Sequence, residues 1–362
     1  MDRKIATIRK VIWRLQDIAL QWLWFMSNVK KERIGFDKGP LTWFREKRHK
    51  KLRRPIHICL LEIYPKSGKF GHFAAFWINE RSRVCSASGN EHIKDADILW
   101  VYSQDPLPDN IKKELLYTLR KAKPETPVIN HPAVYNTYHE EYTFRVLKEA
   151  GVNVPRSEFS EKDIGNTLVV YKPIGKHGSP KLLTLYQGQV EGYRPFEFVD
   201  SRGSNGLYRK YRVFYINGLV YPHYLLSSTH WDVRWEIRRH VEYLFEIPFE
   251  EINSIHMIAK TLNIQYLSAD YLRRNSDGLS FFTDINIYPM PIAYAEIARQ
   301  YGYYGRWHLF DNRLRLKISE PWERSFWDMF DEAMLAFAHK ESFRADDKNV
   351  NDFEKSIERI RK

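Results

Sequence analysis

The sequence LSADYL at residues 267–272 is followed by the turn NSDG at residues 275–278 and then by FFTDINIYP at residues 281–289. Two apolar segments joined by a Ser-Asp-Gly turn predict a β-hairpin. This hairpin indicates a functional site in the second half of the chain, because it carries polar side chains at regular positions within apolar strands.

The polar residues of this hairpin predict a magnesium site. Asp284 and Asn286 are two residues apart, so their side chains share one face of the second strand. Asp270 lies on the partner strand and can converge on the same point. Mg²⁺ usually takes one or two carboxylates and leaves other positions to water and phosphate. The alternative is that both acids are solvated strand residues.

Chain length and composition predict two or three structural units. The chain has 362 residues, 43% of them hydrophobic, which is enough for a substantial core. Cys59 and Cys85 have neither metal-site spacing nor a disulfide framework, so we expect a reducing compartment and buried thiols. The chain contains neither a Gly-x-x-x-x-Gly-Lys-Ser/Thr run nor an HExxH pair, which argues against a P-loop NTPase and a zinc hydrolase.

The positive charge is concentrated at the N-terminus. The formal net charge is +12, and residues 1–54 carry 16 Lys/Arg against 5 Asp/Glu, leaving the remainder close to neutral. Residues 5–26 show helical apolar spacing with interspersed charges, which argues against a membrane-spanning helix and an ordinary signal peptide. With the basic run at residues 45–54, this extension suits an anionic membrane surface. Alternatively, its aromatic residues pack on the body or on a second subunit of a homo-oligomer.

The rest of the chain alternates strand and helix patterns. Residues 57–63, 97–102 and 128–130 predict strands and residues 109–122 a helix, which together indicate a small parallel α/β unit. Asn217-Gly218 predicts the turn of a second hairpin over residues 211–226.

Helical patterns occur at three further places, and the chain ends in a charged tail. Residues 138–150 end at Gly151, a C-cap residue, residues 249–262 carry an apolar face, and residues 321–340 are rich in Trp and Phe. Residues 341–362 form the tail.

Several segments in order resemble the ATP-grasp superfamily of ATP-dependent carboxylate–amine ligases, which includes glutathione synthetase-like and D-Ala–D-Ala ligase-like enzymes. The resemblance covers roughly residues 55–300, and its strength lies in the ordered set rather than in any one motif. The segments that carry it are residues 128–132 (VINHP), 142–155 (YTFRVLKEAGVNVP), 168–173 (LVVYKP), 175–179 (GKHGS), 196–200 (FEFVD), 211–218 (YRVFYING) and the hairpin at 267–289.

The resemblance implies a mixed α+β and α/β fold in which two α+β subdomains enclose ATP. We therefore expect the basic extension at residues 1–54, an N-terminal α/β subdomain at residues 55–131, a central subdomain at residues 132–200 and a C-terminal subdomain with the metal hairpin at residues 201–340. The charged tail at residues 341–362 follows.

The same resemblance implies the roles of the site residues. Lys172 and Arg212 would act on the phosphates, Lys172 from a strand exit and Arg212 as a bidentate clamp. The nucleotide would be held by Lys172, Gly175, Lys176, His177, Gly178, Ser179, Glu197, Phe198, Val199 and Asp200. ATP and Mg²⁺ would be the cofactors, and Arg209 and Lys210 are interpreted as solvated.

The loop at residues 227–234 is the candidate for substrate recognition. It brings His230, Asp232 and Arg234 between two ordered segments, and functional side chains concentrate in such loops. Its composition leaves the substrate open: a small-molecule or peptide carboxylate and an amine both fit. Nucleic acid is the weakest partner class, since the body has no basic excess.

Two departures from the family pattern keep other functions open. Glu140 and Glu141 stand where the family usually has a Lys, and Asp284 stands where it more often has Glu. The leading hypothesis is a cytoplasmic biosynthetic ligase that activates a carboxylate as an acyl phosphate, located in part at the inner membrane surface. The alternatives are an ATP-grasp-fold kinase for a small hydroxylated acceptor, and an inactive ATP-grasp-like interaction protein.

Overall fold

The chain forms two compact units in the computed structural model. Of the described residues, those between 54 and 103, between 109 and 128, and between 321 and 339 belong to the first unit, and those at 106–108 and between 129 and 289 belong to the second. The structure describes residues 54–61, 74–75, 78–79, 81–103, 106–135, 143–174, 180–233, 240–242, 244–287, 289 and 321–339.

A four-stranded sheet forms the centre of the first unit. Its strands are β1 (Ile56–Leu61), β2 (Cys85–Ser88), β3 (Ile98–Val101) and β4 (Val128–Ile129), in the order β2-β1-β3-β4. β1 pairs in parallel with both β2 and β3, and the residues of β3 are all buried, as expected for a parallel sheet covered on both faces. The predicted parallel α/β unit is therefore confirmed.

Helical segments complete this unit. A 3₁₀ segment spans Asn90–Asp95, helix α1 spans Asp109–Leu119 and helix α4 spans Pro321–Ala338. Asp331 of α4 accepts hydrogen bonds from Ser82 Oγ at 2.5 Å and from the Arg83 N–H at 2.8 Å, which anchors α4 to the segment before β2.

Both cysteines are buried free thiols, as predicted. Burial raises the pKa of the Cys85 thiol, so this side chain is inert at neutral pH.

The second unit contains a three-stranded antiparallel sheet. Helix α2 (Thr143–Glu149) and a 3₁₀ turn (Glu161–Asp163) precede β5 (Leu168–Pro173), β6 (Leu182–Leu185) and β7 (Tyr193–Glu197), which pair in the order β6-β5-β7. One face buries Val169 and Tyr171 against Tyr186. Gly151 ends α2 with φ +87°, where other residues would be strained, and this supports its prediction as a C-cap.

A five-stranded antiparallel sheet forms the rest of the second unit. Its strands are β8 (Tyr208–Ile216), β9 (Leu219–Ser228), β10 (His240–Glu242), β11 (Tyr266–Arg273) and β12 (Ser280–Asn286), in the order β10-β9-β8-β11-β12. Both predicted hairpins are confirmed. The β8–β9 turn has positive φ at Asn217 and Gly218, as a two-residue hairpin turn with this sequence requires.

Helix α3 (Phe249–Leu262) packs on one face of this sheet, and its bounds match the sequence prediction. Its buried carboxylate Glu251 accepts hydrogen bonds from the Tyr271 hydroxyl at 2.5 Å, from Arg273 Nε at 2.6 Å and from Ser280 Oγ. Because a buried charge needs such partners, this network joins α3 to both strands of the β11–β12 hairpin.

Asn130 joins the start of β11 to the end of the hairpin. Its Nδ2 group donates to the carbonyls of Tyr266 and Ile287, both at 2.7 Å, and its Oδ1 accepts from the N–H groups of Gln265 and Tyr266. The residue is buried and has φ +54°, a conformation that Asn tolerates better than most residues. One side chain therefore satisfies four backbone groups.

Parts of the predicted architecture lie outside the described residues. These are residues 1–53 of the basic extension and the charged tail at 341–362. Within the described ranges, none of the helices combines the length and apolar character needed to cross a membrane.

Replacing Asn130 should destabilise the second unit strongly. Asn130→Ala deprives four backbone groups, three of them buried, of this partner and places Ala at a positive φ, so we expect a loss of about 3–5 kcal/mol in the free energy of unfolding. Asn130→Gly relieves the backbone strain only, and should recover about 1 kcal/mol of that loss. Urea unfolding followed by circular dichroism measures both, and a loss of less than about 1 kcal/mol for Asn130→Ala would contradict this role.

Candidate functional site: a cationic cluster on the five-stranded sheet

The face of the five-stranded sheet opposite α3 carries the predicted polar residues. In the register of β8, β11 and β12, Asp270 lies directly between Arg212 on one side and Asp284 on the other. Directly paired residues of antiparallel strands share a face, so these three side chains lie together. Asn286, two residues after Asp284, lies on the same face and is paired with Ser268.

Asp270 is the buried centre of this cluster. Arg212 donates to it from Nε and, at 2.8 Å, from a terminal nitrogen, which is the bidentate geometry of a strong ion pair. Lys210 Nζ lies 3.3 Å from Asp270 Oδ2. The side chains are 4% exposed for Asp270, 23% for Arg212 and 19% for Lys210.

The charges of the cluster shift one another's pKa values. Burial alone would raise the pKa of Asp270, but the charges of Arg212 and Lys210 outweigh it and hold that pKa well below its usual range. Burial lowers the pKa of Lys210, while Asp270 opposes this shift. For Arg212, burial acts against the charged form, but Asp270 outweighs it and raises the pKa. Asp270 therefore remains a carboxylate and keeps two cations on this face.

This arrangement changes the expected role of Asp270 in metal binding. Its carboxylate already accepts hydrogen bonds from two cations, so a metal ion would have to share it with them. Among the described residues, no group of three His, Cys, Asp or Glu could by itself hold a metal ion. Asp284 and Asn286 still offer two oxygen ligands on one face, which suits a magnesium ion that takes its other ligands from phosphate and water. The metal site stays a prediction, centred on Asp284 and Asn286.

Lys172 reaches the same place from the three-stranded sheet. Its Nζ donates to the backbone carbonyl of Thr283 at 2.5 Å and lies 4.8 Å from the centre of the Phe196 ring. Burial, together with the charge of Lys181, lowers the pKa of Lys172 to about 8. The predicted cation at the exit of β5 thus lies beside the residue that precedes Asp284.

The face of the three-stranded sheet that carries Lys172 is apolar and partly open. Register and alternation put Leu168, Val170, Leu183 and Leu185 on this face, together with Phe196. Leu168 and Leu185 are exposed, whereas Val169, Tyr171 and Tyr186 pack together on the opposite face. An exposed apolar face beside a group of cations is a suitable surface for a flat heterocycle joined to phosphates.

The predicted adenine-binding segment links the two sheets. Glu197 ends β7, and Phe198, Val199 and Asp200 follow without regular structure. The N–H groups of Glu197 and Phe198 already donate to the carbonyls of Arg156 and Leu168, at 2.8 Å and 3.1 Å. A base bound here would therefore form hydrogen bonds with other groups of this segment.

The predicted substrate loop is ordered by internal hydrogen bonds. The His230 N–H donates to Ser228 Oγ, and the Asp232 N–H donates to His230 Nδ1. His230 is exposed, whereas Asp232 is buried and forms a salt bridge with Lys181. Arg234 and the loop of Gly175, Lys176, His177, Gly178 and Ser179 lie outside the described residues, as do Glu140 and Glu141.

Two cations of this region, Lys210 and Lys181, were not predicted from the sequence. Lys210 was interpreted as solvated but is mostly buried and paired with Asp270, so that interpretation is wrong. The alternation of strand residues is the signal that could have placed Lys210 in the cluster, because Lys210 and Arg212 are two residues apart and share a face. Lys181 gave no sequence signal, since its partner Asp232 is 51 residues away.

Neither a protein-family model nor a curated protein matches the sequence. Solved structures do resemble the fold. The ATP-grasp ligase PsnB in complex with the precursor peptide PsnA2 and AMPPNP has a TM-score of 0.47 and 14% identity, over 78% of this chain and 98% of that chain. The D-alanine–D-alanine ligase from Bacillus anthracis complexed with ATP has a TM-score of 0.43 and 12% identity, over 80% of this chain and 100% of that chain.

A third similar structure is the Chryseobacterium gregarium RiPP-associated ATP-grasp ligase in complex with ADP and a leader and core peptide. Its TM-score is 0.42 at 12% identity, over 81% of this chain and 99% of that chain. At such identities and TM-scores, the function has to be inferred from the side chains of the site itself.

Removing the charge of Asp270 should destabilise the protein far more than removing an exposed acid of the same hairpin. Asp270→Asn leaves Arg212 and Lys210 without their carboxylate, so we expect a loss of about 3–5 kcal/mol in the free energy of unfolding. Asp277→Asn is the matched control, because Asp277 pairs with Arg274 at the surface, and it should change stability little. Urea unfolding of both variants tests this, and equal losses would contradict the structural role of Asp270.

Proposed function

We propose that the second unit binds ATP and Mg²⁺ and transfers the γ-phosphoryl group to a carboxylate, forming an acyl phosphate that an amine attacks. The observation that carries this proposal is the cluster of Lys172, Lys210 and Arg212 around Asp270 and Asp284. Three cations beside two carboxylates leave an excess of positive charge in a half-buried place, which suits a polyphosphate.

The rest of the nucleotide would lie against the three-stranded sheet. The apolar face of Leu168, Val170, Leu183 and Leu185 would cover the base, and the segment from Glu197 to Asp200 would contact its edge and the ribose. Lys172 projects from the apolar face toward the polar one, so it would contact the phosphates.

The chemistry needs charge neutralisation more than covalent help from the protein. The substrate carboxylate attacks the γ-phosphorus and ADP leaves; the amine then attacks the acyl carbon, and inorganic phosphate leaves. Arg212, held by Asp270, would stabilise the charge on the transferred group. Asp284 and Asn286 would hold the magnesium ion, which neutralises phosphate charge when bound.

The carboxylate and amine are proposed only by class. His230 and Arg234 remain candidates to contact a small-molecule or peptide substrate, and residues 1–54 remain a candidate for an anionic membrane surface. The proposed compartment is the cytoplasm.

Variants of Lys172 and Asp284 should separate binding of the nucleotide from binding of the metal. We expect Lys172→Met to weaken the affinity for a non-hydrolysable ATP analogue by about tenfold or more, because a charge-assisted contact is lost. Asp284→Asn should remove the magnesium dependence of that affinity and abolish ADP formation. Calorimetric titration with and without Mg²⁺ measures both effects, with Lys162→Met, an exposed lysine, as control. Wild-type affinity and turnover in both variants would disprove the site.

The affinity for the ATP analogue should also fall with rising pH. Lys172 loses its proton, and with it its charge, as the pH passes its lowered pKa of about 8. Affinity should therefore decrease between about pH 7 and 9, and less steeply in Lys172→Arg, which stays charged. Bound phosphate raises the pKa of Lys172, so the affinity stops falling only above this raised pKa. Identical pH profiles for wild type and Lys172→Arg would exclude Lys172 as the titrating group.

A further inference from the structure

A salt bridge connects the three-stranded sheet with the loop that follows β9. Lys181 Nζ lies 3.2 Å from Asp232 Oδ1, and the two side chains are 35% and 9% exposed. Lys181 immediately precedes β6, whereas Asp232 belongs to the loop at residues 229–233. The ion pair thus spans the region between the apolar face and the cationic cluster.

Lys181 stands close to the other cations of the site. Burial is the main cause of the lowered pKa values of Lys172 and Lys210, and the charge of Lys181 lowers both further. Three ammonium groups near one another repel, so their arrangement requires nearby anions. Asp270 is the counter-ion of Lys210, and Asp232 is the counter-ion of Lys181.

The loop that carries Asp232 is anchored on the same sheet face as the cluster. Val233 packs with Tyr224 and Leu226, the residues of β9 directly opposite Arg212 and Lys210.

Next to Asp232 in this loop, Trp231 meets the predicted adenine-binding segment. Its ring stands edge-on to that of Phe198, with 6.4 Å between the centroids. Asp232 is therefore held beside the place where the proposed phosphates would lie, and it presents a negative charge there.

We propose that Lys181 contacts a phosphate of the bound nucleotide, and that Asp232 is the counter-ion of Lys181 in the free protein, whose carboxylate is exchanged for that phosphate. The inference rests on the proposed function and adds to it one phosphate ligand and its resident counter-ion. An ammonium group suits this exchange because it is a compact charge on a flexible stem with three donors. A polyphosphate carries more negative charge than one carboxylate, and it also meets Lys172 and Lys210.

The test compares nucleotides that differ only in phosphate number. AMP and a non-hydrolysable ATP analogue are titrated calorimetrically into the full-length wild type and into Lys181→Gln, Lys181→Arg and Asp232→Asn. Lys162→Gln, an exposed lysine of the same unit, is the matched control. Circular dichroism and thermal unfolding establish that each variant is folded.

The proposal predicts effects of opposite sign at the two positions. Lys181→Gln should lower the affinity for the ATP analogue by about tenfold and change the affinity for AMP by no more than about twofold. Lys181→Arg should retain most of the affinity for the ATP analogue. Asp232→Asn removes the competing carboxylate, so it should strengthen binding of the ATP analogue by up to about fivefold. When Asp232→Asn is combined with Lys181→Gln, the affinity for the ATP analogue should not exceed that of Lys181→Gln alone.

The outcomes distinguish this inference from the proposed function. Wild-type binding of the ATP analogue with unchanged affinity in Lys181→Gln would overturn the inference alone and leave a purely structural salt bridge. Weaker binding in Asp232→Asn would overturn the exchange. Failure of the wild type to bind the ATP analogue would overturn the inference and the proposed nucleotide site together.

Discussion

The buried carboxylate of Asp270 is the constraint on which the rest of the site depends. A charge taken out of water is tolerated only with opposite charges and well-directed hydrogen bonds around it. Arg212 supplies both in a bidentate contact, and Lys210 supplies a second cation. Because all three side chains project from neighbouring strands, the sheet register sets their separations before any ligand binds.

This constraint explains how several cations can lie so close together. Lys172 and Lys181 add two positive charges beside Arg212 and Lys210, and the carboxylates of Asp270, Asp284 and Asp232 balance most of them. The cations are thus held in place before any ligand binds, and most of their charge is compensated. Preorganised cations cost little reorganisation when a phosphoryl group is transferred, which is where such sites gain most of their effect.

The sheet is held rigid from its other face. Glu251 of α3 bonds to Tyr271 and Ser280 on the two strands of the hairpin, and Asn130 joins the two ends of that hairpin. Adjacent residues of β11 therefore contact different parts of the structure. Asp270 faces the cationic cluster, whereas Tyr271 faces the network of α3, because successive strand residues point to opposite faces.

Local patterns in the sequence determined much of this architecture. The turn residues Asn217-Gly218 and the Ser-Asp-Gly turn define two hairpins, the spacing of apolar residues defines α3, and a period of two puts Asp284 and Asn286 on one face. These features depend on neighbours within a few residues, so a single sequence contains them. The strand positions of Lys172 and Arg212 also follow from local patterns, whereas their roles rest on the family resemblance and stay predictions.

The tertiary structure alone decided which of these side chains meet. Lys172 contacts the carbonyl of Thr283, 111 residues away, and Lys181 pairs with Asp232. Lys210 was misjudged because its burial depends on β11 lying beside β8, and strand order is not encoded in either strand's own pattern. A sequence periodicity specifies the face on which a residue lies. The packing of the sheets specifies what that face contacts, and here it brings lysines and aspartates together that are far apart in the sequence.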